Sequence, residues 1–326
     1  MIRHLLFFLL TGLLASCNSS SGSETRQGAS NRAAKTVAFD HNQASPGLGD
    51  YWYQGEAEIS RYELLQNRYQ DVHPGEAVAI FVTEDFLTDK QVKNDNYTNS
   101  NSTGVLKTNL LRKFPTGIYD YSIMTSVFTP TDTEAYPQTL KVSTSAQDWC
   151  GHAYMQLNYE AKQYRMQLHS YFENEADQEQ MIDYAILEDE IMNRIRINPQ
   201  GLPTGEVKVV PATTVIRLRH LPFRAYPAEA THTQYEGSEF QGESLMAYTL
   251  NFPDLEREVT FIYQGEAPYI IEGWKDTYPS AFDQKPRTTL ARRTETILSP
   301  YWKLNGRDDL SERRRLNMEV FSGASE

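Results

Sequence analysis

From residue 50 onwards, apolar and polar residues mostly alternate along the chain, which is the pattern of half-buried β-strands. Dense apolar runs at residues 76–83 and 118–128 are separated by turn-forming segments such as Pro115-Thr116-Gly117. The pattern predicts an antiparallel meander of strands up to about residue 172. It predicts further strands after residue 207, one of them at residues 213–219.

One segment, residues 177–196, has a helical period instead of the strand period. Its apolar residues follow the i, i+3 and i+4 spacing of an amphipathic helix: Met181, Tyr184, Leu187, Ile191 and Ile195. Acidic residues crowd the first turns, and Arg194 and Arg196 stand in the last, as the helix dipole favours. The sequence therefore predicts a mainly β, β-rich α+β fold. The antiparallel meander is expected to form a strongly curved sheet or incomplete barrel with one long helix at 177–196.

The N-terminus has the features of an export signal. Arg3 precedes an apolar run at residues 5–14, which is too short to span a bilayer, since a span takes about 20 apolar residues. The run ends in Leu14-Ala15-Ser16-Cys17, which resembles the lipobox of bacterial lipoproteins. We therefore expect a signal peptide at residues 1–16 and a lipid-modified Cys17. Because Asn18 follows the cysteine in place of Asp, the resemblance implies an outer-membrane, lipid-anchored protein that faces the periplasm.

The remainder of the chain divides by composition. Residues 17–49 are rich in Ser, Gly and Asn with no apolar period, so they are expected to form a flexible tether after the lipidated cysteine. Residues 50–304 are expected to form a single β-rich domain. Residues 305–326 are strongly charged and are expected to form a mobile tail.

Composition and motifs exclude several classes of function. The formal net charge of −12 disfavours nucleic acid as a partner, because phosphate contacts need clustered Lys and Arg. Two cysteines are too few for a disulfide framework or a multi-cysteine zinc module. The chain contains no Gly-x-Ser-x-Gly elbow, no glycine-rich phosphate loop and no His-Glu-x-x-His motif. We therefore expect neither a cofactor nor a metal site.

The strongest candidate for chemistry is Cys150 with His152, which lies two residues further on and so on the same face of a strand. A nucleophilic cysteine needs a nearby base, and His169, Glu173 or Asp177 could orient that base. The alternative is that Cys150 is a buried packing residue, because free cysteine behaves as a small hydrophobic side chain. The sequence favours packing.

Four stretches carry a family resemblance: Val82-Thr83-Glu84-Asp85-Phe86, Lys113-Phe114-Pro115-Thr116-Gly117-Ile118-Tyr119, Trp149-Cys150-Gly151-His152 and His169-Ser170-Tyr171-Phe172-Glu173. Over about residues 51–278 the chain resembles an uncharacterised family of bacterial lipoproteins, some of which are labelled septum formation inhibitor Maf. True Maf proteins are cytoplasmic nucleotide pyrophosphatases that begin with Ser-x-Ser-Pro-Arg-Arg, a motif that this chain lacks. The resemblance implies an envelope lipoprotein and no particular activity.

Two functional hypotheses follow. The first is a non-catalytic binding or carrier module for an amphiphilic or envelope-derived ligand, such as a lipid, a glycan or an envelope protein. The 20 Tyr and 14 Phe could line an apolar pocket, and the predicted architecture resembles lipoprotein-sorting carriers, in which a half-barrel shelters acyl chains. The second is a periplasmic hydrolase or transferase that uses Cys150 with a histidine base. The missing motifs favour the first.

Overall fold

The structure is a computed structural model that describes residues 48–320. The predicted signal peptide, Cys17 and the predicted tether up to residue 47 lie outside the described residues, as do residues 321–326. All described strands belong to one 15-stranded sheet. They are β1 (Ala57–Arg68), β2 (Asp71–Leu87), β3 (Ser102–Thr116), β4 (Tyr119–Pro130), β5 (Lys141–Asp148), β6 (Gly151–Glu160), β7 (Gln163–Ser170), β8 (Gln178–Asp183), β9 (Ile186–Leu187), β10 (Gly205–Val210), β11 (Tyr226–Gln234), β12 (Leu245–Phe252), β13 (Arg257–Gln264), β14 (Ile271–Pro279) and β15 (Pro286–Ser299).

The sheet is built almost entirely from hairpins. Its strand order is β8-β7-β6-β5-β4-β3-β2-β1-β15-β14-β13-β12-β11-β10-β9, so the first and last strands of the chain pair at its centre. Neighbouring strands are antiparallel except β9 and β10, which are parallel. The predicted mainly β, antiparallel meander is confirmed.

The shape of the sheet differs from the prediction. Its two edge strands, β8 and β9, are not paired with each other within residues 48–320, so the sheet is open and no barrel closes. The structure is one broad sheet with a few short helices, in place of the strongly curved sheet or incomplete barrel that the sequence predicted.

The predicted long helix at residues 177–196 is wrong. This segment contains β8, β9, a 3₁₀ helix at Glu188–Glu190 and the first part of α1 (Ile191–Ile197). Met181 and Tyr184, which supplied the first part of the helical pattern, are exposed, and their segment pairs with β7 at the sheet edge. Strand pairing thus outweighs a local period that only the residues after 187 obey.

The predicted strand at residues 213–219 is also wrong, because Thr213–Arg219 forms the helix α2. Six of its seven residues are buried, Arg219 being the exception. A helix that is covered on nearly every side has no polar face, so its sequence carries no amphipathic period. Neither helix in the described part of the chain, nor any of its 3₁₀ segments, is long and apolar enough to cross a membrane.

In the segment from β9 to α2, the strands β9 and β10 belong to the sheet, while the helices α1 and α2 pack on one of its faces and are fixed there by polar contacts. Asn193 of α1 is fully buried and donates to the carbonyl oxygen of Leu106 (2.9 Å) and to Oγ1 of Thr129 (3.1 Å). In α2, Oγ1 of Thr213 lies 2.6 Å from Oγ1 of Thr144 on β5. Within residues 48–320, the sheet and this segment bury apolar side chains against each other and form a hydrophobic core.

Two buried ion pairs join the same segment to the central strands. Arg196 of α1 makes a bidentate pair with Glu58 of β1, with both N–O distances 2.5 Å. Arg257 of β13 makes a bidentate pair with Glu188 (both 2.6 Å), and its Nε donates to Asp276 at 2.6 Å. Burial opposes the charge on Glu58, but Arg196 and hydrogen bonds from Tyr51 and Ser60 outweigh it and lower the pKa of Glu58.

The charged C-terminal region is ordered into a 3₁₀ helix at Asp308–Leu316, of which Leu316 is buried. The strands place six turns at one end of the sheet, which we call the cleft end: β1–β2, β3–β4, β5–β6, β7–β8, β12–β13 and β14–β15. The C-terminus of α2 reaches the same end, as described next.

Candidate functional site

A cleft of about 610 Å³ opens at the cleft end, between the C-terminus of α2 and the surrounding turns. Its lining combines aromatic and aliphatic side chains with basic and acidic ones. The aromatic residues are Tyr69, Tyr121, Phe172, Tyr278 and Phe282, the basic residues are Arg68, Arg217, Arg219 and His220, and the acidic residues are Asp148, Asp254 and Glu256. This combination suits a ligand with an apolar part and a charged or strongly polar part.

Helix α2 positions the basic residues because both of its ends are fixed. At the N-terminal end, the Ala212 N–H donates to Glu188 (3.1 Å) and the Thr213 N–H donates to Asp189 (2.9 Å). At the C-terminal end, His220 has a positive φ of 53°, which ends the helix in the left-handed conformation and directs the chain towards the cleft wall. Burial raises the pKa of Asp189 to about 6.

One wall of the cleft is a hydroxyl network around Arg68. The Arg68 guanidinium donates to the hydroxyl of Tyr121 (3.1 Å) and to the carbonyl oxygen of Leu218. It lies 4.3 Å from the ring centre of Tyr69, at cation–π distance. The Tyr69 hydroxyl contacts those of Tyr119 (2.6 Å) and Tyr121 (2.7 Å), so the three hydroxyls are paired with one another, whereas Nε of Arg68 is buried without a hydrogen-bond partner.

A second wall contains a histidine held by a carboxylate. Oε1 of Glu175 accepts hydrogen bonds from Nδ1 of His220 (2.5 Å) and from Nη1 of Arg217 (3.2 Å). Oε2 of Glu175 accepts from the Ser170 hydroxyl at 2.6 Å. Arg217 also lies 4.5 Å above the ring of Phe172. Because Nδ1 is occupied, His220 presents Nε2 as its free ring nitrogen, and about half of the side chain is exposed.

Arg219 has only weak hydrogen-bond partners within the protein. Its two terminal nitrogens make only long hydrogen bonds to the carbonyl oxygen of Leu255, at 3.3 and 3.4 Å. The guanidinium lies 4.9 Å above the ring of Tyr278. Burial and the nearby Arg257 lower the pKa of Arg219. A negatively charged group of a ligand could therefore pair with Arg219, which has no strong partner within the protein.

Cys150 also lines the cleft, in the β5–β6 turn, and it is exposed. This finding contradicts the buried packing role that the sequence favoured. The turn is tight, with the Cys150 N–H donating to Asp148 (2.7 Å) and the ring of Tyr171 resting against Gly151. Helix α2 contacts β5, and Cys150 and His220, which follow these two elements in the chain, both line the cleft.

The other predicted site residues lie elsewhere. His152 on β6 and His169 on β7 are exposed, on the face opposite the buried Ala153 and Leu168, and neither lines the cleft. Nδ1 of His169 is 3.4 Å from the carboxylate of Asp177, and both side chains are largely exposed.

Glu173 is exposed in the β7–β8 turn. The structure thus does not place the predicted histidines and carboxylates around Cys150. In residues 48–320, no group of three His, Cys, Asp or Glu side chains is arranged to bind a metal ion.

Sequence reasoning missed Glu175 and His220. Glu175 lies between the two carboxylates that were considered, and only the fold of the turn decides which one points inward. His220 follows two arginines at the end of a segment that was predicted as a strand, so its position at a helix C-terminus was not foreseen. In the sequence, the two arginines that precede it, Arg217 and Arg219, were the feature that could have pointed to a site at His220.

Comparisons of this chain with protein-family models, with curated protein sequences and with solved structures find no match.

Proposed function

We propose that this protein is a non-catalytic binding or carrier protein whose ligand is an amphiphile that binds in the end cleft. The observation that carries the proposal is the lining of the cleft, in which arginines contact aromatic rings and one of them, Arg219, makes only long hydrogen bonds within the protein. Aromatic rings bury the apolar part of a ligand, and guanidinium groups pair with carboxylate or phosphate.

The site of action belongs to the same proposal. The lipobox-like Leu14-Ala15-Ser16-Cys17 supports a lipid-anchored protein of the outer membrane that faces the periplasm, within the lipoprotein family that the chain resembles. A Cys17→Ala variant should stay uncleaved or mislocalise, while the parent protein should incorporate labelled palmitate. Normal processing and membrane association of the variant would contradict this part.

The binding proposal is tested by native mass spectrometry of protein purified from its own envelope. We expect a co-purifying lipid or other amphiphile, whose occupancy falls at least about tenfold in Arg219→Gln, because that substitution removes the charged partner.

Arg224→Gln is the matched control, since Arg224 lies 3.8 Å above the ring of Tyr226 but does not line the cleft. A protein that is empty when purified, or an occupancy that both variants lower equally, would contradict the proposal.

A second candidate function is supported by one observation: Cys150 and the Glu175-bound His220 line the same cleft. In a hydrolase or transferase, Nε2 of His220 would take the thiol proton, Glu175 would hold the imidazolium, and the Cys150 sulfur would attack a carbonyl carbon. The leaving group would then take the proton from His220, and water or an acceptor would release the acyl group.

Thiol chemistry separates the two candidates. The rate at which iodoacetamide alkylates Cys150 would be measured at pH 6.5 and pH 8.5 in the parent, in His220→Ala and in the control His169→Ala. A binding protein should give the same ratio of rates in all three proteins. A catalytic pair predicts a high rate at pH 6.5 that falls at least about tenfold in His220→Ala alone.

A further inference from the structure

The large apolar side chains that are most exposed in the described chain all lie at the cleft end. Exposure is 83% for Ile118, 72% for Tyr171, 69% for Trp149 and 61% for Phe282. Each is in a different hairpin turn, namely β3–β4, β7–β8, β5–β6 and β14–β15. Single exposed apolar residues are common on proteins, but the four largest exposures at one end of one sheet form a surface that needs an explanation.

The strand order makes these turns a row. Along the sheet, the hairpins β7–β8, β5–β6, β3–β4, β1–β2 and β14–β15 follow one another. Adjacent hairpins are two strands apart, or about 10 Å, at the usual spacing of paired strands. The β1–β2 hairpin contributes Tyr69, whose ring packs edge-to-face on Phe282 at 5.5 Å. We call Ile118, Trp149, Tyr171 and Phe282 the turn-tip row.

We infer that the turn-tip row inserts into the interface of a zwitterionic phospholipid bilayer. Trp, Tyr and Phe are the side chains that favour the boundary between headgroups and acyl chains, and a fluid interface accepts separate tips without matched pockets. A protein partner would instead be expected to cover one contiguous, well-packed apolar patch.

Charge decides the type of bilayer. Every tip has a carboxylate within two residues: Asp120, Asp148, Glu173 and Asp283. These groups oppose an anionic surface, as does the formal net charge of −12. The basic residues Arg68, Arg217 and Arg219 are set back in the cleft, behind the tips. The row therefore suits phosphatidylcholine or phosphatidylethanolamine surfaces, and this inference does not depend on what the cleft binds.

The test uses the chain from residue 40 onwards, which contains the whole described core but neither the predicted signal peptide nor Cys17. Its binding to dioleoylphosphatidylcholine vesicles would be measured by co-sedimentation, and brominated phosphatidylcholine would be used to quench tryptophan fluorescence. We expect the parent to bind, and its quenching to disappear in Trp149→Phe but not in Trp302→Phe, since Trp302 lies at the opposite end of the sheet.

The triple variant Ile118→Ser, Trp149→Ser, Tyr171→Ser should lower the partition coefficient at least about tenfold, because binding scales with buried apolar area. The matched control is Val92→Ser with Trp302→Ser, two exposed apolar residues (45% and 44%) at the opposite end. Ile118→Ser alone, at the most exposed position, gives a smaller loss without a risk to folding.

Any one of the following outcomes would overturn the inference. They are no binding of the folded parent, equal losses in the tip and control variants, and binding that needs anionic lipid and disappears at high salt. Self-association through the tips without vesicle binding would also overturn it and would indicate a protein partner instead. Loss of vesicle binding with the cleft ligand still bound would leave the proposed function intact.

Discussion

Charged side chains occupy two different settings in this protein, the core and the cleft. In the core, Arg196 and Arg257 make short bidentate pairs with Glu58 and Glu188, and both arginines are almost fully buried. In the cleft, Arg219 makes only long contacts to one carbonyl oxygen, and His220 is half-exposed. In the core, the nitrogens of these arginines are all hydrogen-bonded within the protein, whereas in the cleft some hydrogen-bonding groups remain available to a ligand.

The difference separates charged side chains that hold the fold together from those that remain available to a ligand. A buried ion pair is costly to break, since removing one partner leaves an uncompensated charge in the core. The core pairs therefore fix the position of the segment that carries α2. An exposed or underused cation contributes little to stability, which is why we propose that the cations beside the aromatic rings of the cleft bind a ligand.

The largest effect is expected from breaking the Glu58–Arg196 pair. Arg196→Met should lower the free energy of unfolding by about 3–5 kcal/mol, because Glu58 stays buried with Tyr51 as its remaining strong partner. Urea unfolding measures the change.

The double variant Glu58→Gln, Arg196→Met should lose less than Arg196→Met alone, since it leaves no buried charge. As a control, Arg315→Met removes an exposed pair with Glu312 and should cost under about 0.5 kcal/mol. Equal losses from Arg196→Met and Arg315→Met would show that burial does not distinguish the two settings.

A smaller effect is expected at Asp189, which connects the core to α2. Its pKa is raised from 3.8 to about 6, so the folded state keeps this proton to higher pH than the unfolded state. Stability from this group is therefore present below about pH 4 and is lost as the pH rises through 6.

Asp189→Asn removes this dependence while keeping an acceptor for the Thr213 N–H. Relative to the parent, the variant should gain about 2 kcal/mol between pH 4.5 and pH 7, because the raised pKa costs about 1.4 kcal/mol per pKa unit and part of this cost is already present at pH 4.5. Parallel urea unfolding curves at the two pH values provide the measurement, and an unchanged difference between the two proteins would refute the assignment.

The smallest effect on stability is expected in the cleft. Glu175→Gln weakens the contacts to His220 and Arg217 and should cost about 1–2 kcal/mol, because Arg217 is buried but keeps an amide oxygen as acceptor, and His220 is half-exposed. The same substitution should nevertheless change ligand occupancy, since it loosens two cationic side chains of the lining. A loss of several kcal/mol would place Glu175 among the structural charges, and our separation of the two settings would then fail.

Much of the fold could be predicted because strand alternation is a local property. The runs at residues 76–83 and 118–128 lie in β2 and β4, and the turn Pro115-Thr116-Gly117 joins β3 to β4. The errors fall where tertiary contacts decide. Residues 177–183 pair with β7 despite their helical spacing, and residues 213–219 form a helix whose burial on nearly all sides hides its period.

Cys150 shows the same limit at the site. Its neighbours Asp148 and Trp149 are equally compatible with a buried strand end and an exposed turn, and the sequence favoured burial, whereas the structure places the thiol in the cleft. The histidine that faces the same cleft is His220, 70 residues further along the chain, and not the nearby His152. Short-range spacing therefore could not identify the pair.

The sequence by itself determined that the protein is mainly β with hairpin connections, that it is acidic, and that its N-terminus resembles a lipoprotein signal. Each of these depends on composition or on neighbours within a few residues. The tertiary structure alone decided which charges are buried in pairs and which remain available. It also decided that His220 lines the same cleft as Cys150, and that four exposed apolar side chains lie in turns at one end of the sheet. Those properties depend on residues far apart in the chain, such as Glu58 with Arg196, and strand order brings them together.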